Sequence, residues 1–195
     1  MLRCGDRESV IVSWSSRQIS ISDDSVHLPN DSAIAEYIEN DVGIIYRGAH
    51  KQPSGRQWIF GQFDSVVLPA CCHILDKSRR GAYITNIYPI YLALNNIFIL
   101  SRLRPGDRGN PVKVCRAVSA LVNSAGGDGG VIEGRWSEPY PQGTSPWDWG
   151  GSVAILKEYM EGEGRQPVRY GQCWVFSAVV VTGTYSYKLR ARAVP

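Results

Sequence analysis

The sequence predicts an α+β fold, and three observations lead to this prediction. The 195 residues are 44% hydrophobic and 20% charged with a formal net charge of +3, which excludes intrinsic disorder and collagen-like repeats. A chain of this length buries a core and forms one domain, or one domain with a remnant of another. Helix and strand patterns are mixed without the regular alternation of a doubly wound sheet. The small charge gives no indication of nucleic-acid binding.

The first half of the chain contains mainly short patterns. β-Branched residues with alternating serines are typical of strands, and polar residues before apolar ones indicate helix starts. The predicted elements are strands at residues 10–14, 19–21 and 43–47, a short helix capped by Asp31 or Ser32, a turn at residues 51–55, and a helix at residues 66–75.

The second half contains longer patterns. Val114, Val118, Leu121 and Val122 recur at helical spacing, so a helix is expected to end near Asn123. Glycine-rich segments predict loops. The remaining predicted elements are loops at residues 124–130 and 143–151, a helix that starts at Ser152, and an apolar run at residues 174–181 that is compatible with a buried helix.

Residues 82–100 carry no charged side chain, and this length is just enough to span a bilayer. Asparagines and a proline lower the hydrophobicity of the segment, and arginines lie on both sides of it, so the charge bias gives no orientation. A buried apolar segment is therefore favoured, and a membrane span is the alternative.

The five cysteines are odd in number and form no C-x-x-C pair, which gives no indication of a zinc ribbon or a disulfide framework. The N-terminus has no apolar core of the kind that a signal peptide has. Reduced thiols and a cytoplasmic location are the resulting expectations.

One cysteine has a special sequence context. Cys173 follows a glycine closely and precedes the apolar run, so it is expected at the N-terminus of a buried helix. Free N–H groups and the helix dipole favour a thiolate at that position. The other interpretation is a core cysteine packed beside Trp174 and Phe176, because free cysteine is among the most buried residue types.

The whole string around Cys173 resembles the active-site signature of the animal transglutaminases, and other motifs resemble the same family in the same order. Together they extend from about Asp23 to Thr182. The resembling segments are Glu-Tyr-Ile at 36–38, Gly-Ile-Ile-Tyr-Arg-Gly at 43–48, Trp-Ile-Phe-Gly-Gln-Phe-Asp at 58–64, residues 109–112 and 116–123, Arg-Trp at 135–136, Ser-Pro at 145–146, residues 149–156, and Tyr-Gly-Gln-Cys-Trp-Val-Phe-Ser at 170–177.

The resemblance implies a papain-like core that joins protein glutamines to lysines or other primary amines through a cysteine thioester. It assigns Cys173 as the nucleophile and Trp136 as the oxyanion donor. An indole suits that role because it donates a hydrogen bond and has no acceptor. The family also binds calcium near the loop that follows Val122, which here offers Ala120, Asn123 and Asp128. Calcium prefers six to eight oxygen ligands, so this site is expected to be degraded.

The chain departs from the family in three places. No His, Asp or Glu occurs among the 22 residues that follow Cys173, although the family uses a downstream histidine and aspartate. His27, His50 and His73 match no catalytic motif. The resemblance stops at Thr182, and the apolar segment at 82–100 is atypical. The expected organisation is unrelated or remnant strands at 1–22, a partial catalytic core at 23–182, and a non-family tail at 183–195.

These departures lead to the expectation of a truncated product, inactive by itself, in which residues 82–100 and 183–195 are translated intron. Two alternatives remain open. A non-catalytic scaffold or interaction protein would explain the missing base, and a cysteine protease would share the nucleophile but need the same histidine.

Overall fold

A long helix organises the part of the chain that the computed structural model describes, residues 30–49, 51–80, 110–126 and 129–191. This helix, α5, packs against α2, α3, α4, β1 and β4. The elements are α1 (Asp31–Ile34) with a π-helical turn (Ala35–Glu39), β1 (Val42–Ala49), β2 (Gln52–Ile59), α2 (Val67–Arg80), α3 (Pro111–Leu121), a 3-10 turn (Ser124–Gly126), β3 (Ile132–Gly134), α4 (Ser152–Glu161), β4 (Val168–Gly171) and α5 (Cys173–Ala191). The mixture confirms the α+β class. The predicted strands at 10–14 and 19–21 and the segment at 82–100 lie outside the described residues.

Two helices begin at asparagines. The Asn30 side chain accepts a hydrogen bond from the backbone N–H of Ser32, so the predicted cap at Asp31 or Ser32 is wrong by one or two positions. The Asn110 side chain accepts from the backbone N–H of Lys113, and Pro111 follows at the first helical position. Proline suits that position because its missing N–H would have no intrahelical partner.

β1 and β2 form an antiparallel hairpin in which Val42 pairs with Ile59 and Ala49 with Gln52. The predicted turn at 51–55 is therefore wrong, since residues 52–55 belong to β2. Its Gly, Pro and Ser residues are typical of turns, but Pro53 is tolerated because each strand of a two-stranded sheet is an edge.

β3 and β4 form a short parallel pair in which Ile132 lies opposite Val168. The Arg169 guanidinium donates to the Glu133 carboxylate across the pair at 2.8 Å. α4 lies between these strands in the chain and connects them. The parallel pairing brings the residues that follow β3 to the start of α5.

Helix α5 supplies much of the core. Val175 and Val179 are 0% and 2% exposed. Helices α2, α3 and α4 cover this apolar face, so the apolar run at 174–181 belongs to a buried helix as predicted. The predicted boundary between residues 182 and 183 lies inside this helix. Among the described residues, no helix has both the length and the hydropathy of a membrane span.

Candidate active site

Cys173 is the first residue of α5 and is solvent-exposed. The carbonyl oxygen of Gln172 accepts from the backbone N–H groups of Val175 and Phe176, at 2.8 and 3.1 Å, and so starts the helix. No acidic residue occurs in the first turn. The thiol therefore lies at the N-terminal end of a 19-residue helix, where the first backbone N–H groups have no partner within the helix.

The backbone that leads from β4 to Cys173 requires glycine at position 171. A Cβ atom there would lie 2.6 Å from the Ile132 side chain of the neighbouring strand. β4 can therefore pair closely with β3 only if residue 171 has no side chain. This close pairing fixes where the chain leaves the sheet and where the thiol lies.

Trp136 follows β3 and is 64% exposed. Its ring stacks on Phe176 with a centroid separation of 6.3 Å and an interplanar angle of 26°. Phe176 is one helical turn beyond Cys173, so the structure brings both motif residues to the same end of α5. The indole N–H of Trp136 donates to no acceptor within the described part of the chain.

Gln172 connects the Trp136 segment to the start of α5. Its side-chain amide donates to the carbonyl oxygen of Arg135 at 3.0 Å and to the Tyr140 hydroxyl at 3.3 Å. The backbone N–H of Arg135 in turn donates to the carbonyl oxygen of Gly171 at 3.0 Å. Neither hydrogen bond of Gln172 could be predicted from the sequence, because both partners lie more than 30 residues away in the chain.

A second aromatic group lies beside Cys173. The rings of Trp147 and Trp174 are 4.7 Å apart, and the Arg47 guanidinium carbon lies 4.2 Å from the centroid of Trp147. Residues of an α-helix are rotated by about 100° each. Trp174 and Phe176 therefore project from opposite faces of α5, on either side of the direction in which Cys173 projects.

The four described cysteines differ sharply in their surroundings. Cys71 is fully buried, and burial raises the pKa of its thiol to about 12. Cys72 and Cys115 are half-buried, and Cys173 is exposed. Of these four, Cys173 combines exposure with a helix N-terminus.

The described histidine does not lie with this group. His73 on α2 packs edge-on to Tyr159 at 6.0 Å between ring centroids, and a Cβ atom at Gly164 would meet its imidazole. His27 and His50 lie outside the described residues. The site therefore contains a thiol and an indole donor without an imidazole from the described ranges.

The predicted calcium loop offers few ligands where it is described. The Asn123 side-chain oxygen accepts from the backbone N–H of Ala125 at 3.0 Å, and Ala120 can contribute only its carbonyl oxygen. Asp128 lies outside the described residues. No group of three or more His, Cys, Asp or Glu residues in the described ranges could hold a metal ion. These residues do not fit the many oxygen ligands that calcium requires.

Known proteins resemble this chain over most of its length. The hemocyte protein-glutamine gamma-glutamyltransferase of Tachypleus tridentatus is 44% identical over 171 residues, which cover 88% of this chain and 19% of that protein. The coagulation factor XIII A chain of Homo sapiens is 37% identical over 172 residues, which cover 88% of this chain and 20% of that protein. No family model matches the chain.

A solved structure resembles the fold as well. The crystal structure of red sea bream transglutaminase matches with a TM-score of 0.61 and 40% identity, over 84% of this chain and 22% of that one. The chain thus spans about a fifth of the length of the curated relatives that it matches. Sequence and fold agree in placing this chain in the transglutaminase family.

Proposed function

We propose that this chain carries the nucleophile-bearing part of a papain-like transglutaminase core, with Cys173 as the nucleophile and Trp136 as an oxyanion donor. The observation that supports this most is the exposed Cys173 at the start of α5, with Trp136 stacked one turn away on Phe176. The substrates would be protein glutamines and, as acceptors, lysines or other primary amines.

In the proposed reaction the Cys173 sulfur attacks the carbon of the glutamine carboxamide. The C–S bond forms, the oxyanion collapses, the C–N bond breaks, and the nitrogen leaves as ammonia after it takes up a proton. An amine or water then attacks the thioester and releases the thiol. The indole N–H of Trp136 and the free N–H groups of the first turn of α5 are the donors available to the oxyanion.

The partial core is part of the proposal. We propose unrelated or remnant strands at 1–22, core residues at 23–182, and a non-family segment at 183–195. A cytoplasmic location remains a prediction from the cysteine pattern. We propose that the loop at 120–128, which corresponds to the calcium loop of the family, is a degraded calcium site, because the described part of it offers few oxygen ligands.

A non-catalytic scaffold is the second candidate, and one surface favours it. Tyr37, Ile44 and Tyr46 are 59%, 61% and 68% exposed. They line a cavity of about 940 Å³ between the hairpin and the second half of α5. An exposed apolar group of this kind is common at protein interaction sites.

Alkylation by iodoacetamide at neutral pH distinguishes the two candidates. We expect Cys173 to react faster than Cys72 and Cys115, because it is exposed and lies at the positive end of a helix. Cys71 should stay unlabelled because it is buried. Peptide mapping by mass spectrometry measures each rate in one sample. Labelling of Cys173 no faster than that of the half-buried cysteines would favour the scaffold.

The positioning role of Gln172 leads to a further prediction. Gln172→Glu keeps the size of the side chain but cannot donate to the Arg135 carbonyl oxygen. We expect a glutamine-analogue chloromethyl ketone to alkylate Cys173 about three- to tenfold more slowly, because each lost hydrogen bond costs on the order of 1 kcal/mol. The rate with iodoacetamide should change less, since the sulfur displaces iodide from that reagent directly, whereas with the chloromethyl ketone it first adds to the ketone carbonyl and forms an oxyanion before chloride leaves.

The exposed Gln166, in the turn before β4, offers a matched control. Gln166→Glu should leave both rates unchanged. If Gln172→Glu slowed both reagents equally, or neither, Gln172 would not position the oxyanion donor.

A further inference from the structure

A cationic group contacts Trp174, the residue that follows Cys173, and takes no part in the reaction proposed for Cys173. The Arg47 guanidinium carbon lies 4.2 Å from the ring centroid of Trp147 and 5.5 Å from that of Trp174. A planar guanidinium stacks favourably on indole rings. Arg47 is therefore held in a fixed position by residues from two other parts of the chain.

The hydrogen-bonding capacity of this group is unused. The Arg47 Nη1 and Trp174 Nε1 atoms are buried without a hydrogen-bond partner, and Trp174 is only 9% exposed. Buried donors normally find an acceptor, because leaving them unpaired costs free energy. Two unpaired donors on residues whose guanidinium carbon and ring centroid are 5.5 Å apart indicate an acceptor that the described residues do not supply.

The charge of the group identifies the kind of acceptor. Arg56 donates a hydrogen bond to the carbonyl oxygen of Trp147, so a second guanidinium lies close by. Asp148 forms no ion pair with either arginine within the described part of the chain. A positive surface repels a lysine ammonium and attracts a carboxylate.

We propose that Arg47, held by Trp147 and Trp174, binds a carboxylate of the polypeptide whose glutamine reacts with Cys173. The proposal rests on the proposed function and specifies its substrate class as glutamines with Asp or Glu close by in the chain. Trp174 directly follows Cys173, so a carboxylate on Arg47 belongs to a residue near the reactive glutamine. Arg47 orients the substrate and takes no part in bond making.

Two peptide chloromethyl ketones test the proposal on the 195-residue chain. Both carry the glutamine analogue, one with glutamate neighbours and the other with glutamine neighbours. The Cys173 sulfur displaces chloride and forms a thioether, and mass spectrometry gives the rate. We expect the glutamate peptide to react about three- to fivefold faster, because Arg47 as a whole is only half-buried and solvent screens its attraction for a carboxylate. This advantage should shrink in high salt.

Three variants provide the controls. Arg47→Gln should remove the advantage of the glutamate peptide, measured within each variant as the ratio of the two peptide rates, and Arg47→Lys should retain part of it. Arg165→Gln should retain all of it, because Arg165 is an exposed residue that pairs with Glu163 in the turn after α4.

Equal rates for the two peptides, or an advantage that survives Arg47→Gln, would overturn the carboxylate subsite and leave the proposed function standing. Failure of Cys173 to react with any of the reagents would overturn the proposed function itself.

Discussion

The 195-residue chain is expected to incorporate no fluorescent amine into casein above the level of its Cys173→Ala variant. The acyl transfer requires a thiolate, an oxyanion donor and a base that takes protons from the incoming amine or water. Trp136 stacks on Phe176, one helical turn from Cys173, whereas His73 packs on Tyr159. Removing a base costs about 10²–10⁴-fold in rate, which leaves turnover below detection.

The assay is run with calcium and with a chelator, and an active transglutaminase serves as the positive control. Neither condition should yield incorporation by the chain, although iodoacetamide should still label Cys173. Robust incorporation that disappears in Cys173→Ala would contradict the expectation. It would mean that His27 or His50 acts as the base, and the variants His27→Ala and His50→Ala would identify which one.

The parts of the candidate site that depend on neighbouring residues in the chain were predictable from the sequence. A glycine, a cysteine and an apolar run in succession predicted a helix that begins at Cys173, because capping and helix start depend on neighbouring residues. The Arg-Trp pair at 135–136 indicated Trp136 through its motif. Both predictions needed only residues close together in the chain.

Pairing between distant segments was not predictable in the same way. Gly, Pro and Ser at 53–55 are typical of a turn, and only pairing with β1 makes them part of a strand. Gln172 resembled one more motif residue, and its bonds to Arg135 and Tyr140 appear only when β3 and β4 pair. Likewise, nothing in the strand pattern around Arg47 indicated that it would stack on Trp147.

A contact between distant parts of the chain also stabilises the domain, and it is made by Trp58. This residue of β2 is 1% exposed, and its indole N–H donates to the Ser152 hydroxyl at 2.9 Å. Ser152 is fully buried and is the first residue of α4. The backbone N–H of Ile59 also donates to the carbonyl oxygen of Gly150 at 3.0 Å. Trp58 and Ile59 therefore bind the hairpin to the segment at 150–152, which follows Trp147 closely in the chain.

We expect Trp58→Ala to lower the free energy of unfolding by about 3–5 kcal/mol, because it removes a fully buried aromatic ring and leaves a cavity. A domain of this size is stable by only about 5–15 kcal/mol, so the loss is a large fraction of the total. Trp58→Phe fills most of the space but leaves the Ser152 hydroxyl unpaired, which should cost about 1–3 kcal/mol. Urea unfolding followed by circular dichroism measures both without relying on tryptophan fluorescence.

Tyr46→Ala is the matched control, since Tyr46 is an aromatic residue of the same hairpin but is 68% exposed. Its effect should stay within about 0.5 kcal/mol. The loss in the free energy of unfolding should be largest for Trp58→Ala, smaller for Trp58→Phe and smallest for Tyr46→Ala. The first difference measures the packing of the ring, and the second compares a buried residue with an exposed one in the same hairpin. If Trp58→Ala unfolded at the same urea concentration as Tyr46→Ala, the hairpin would not be fastened to α4 through Trp58. The placement of Arg47 against Trp147 would then lose its structural basis, because β1 depends on β2 for its position.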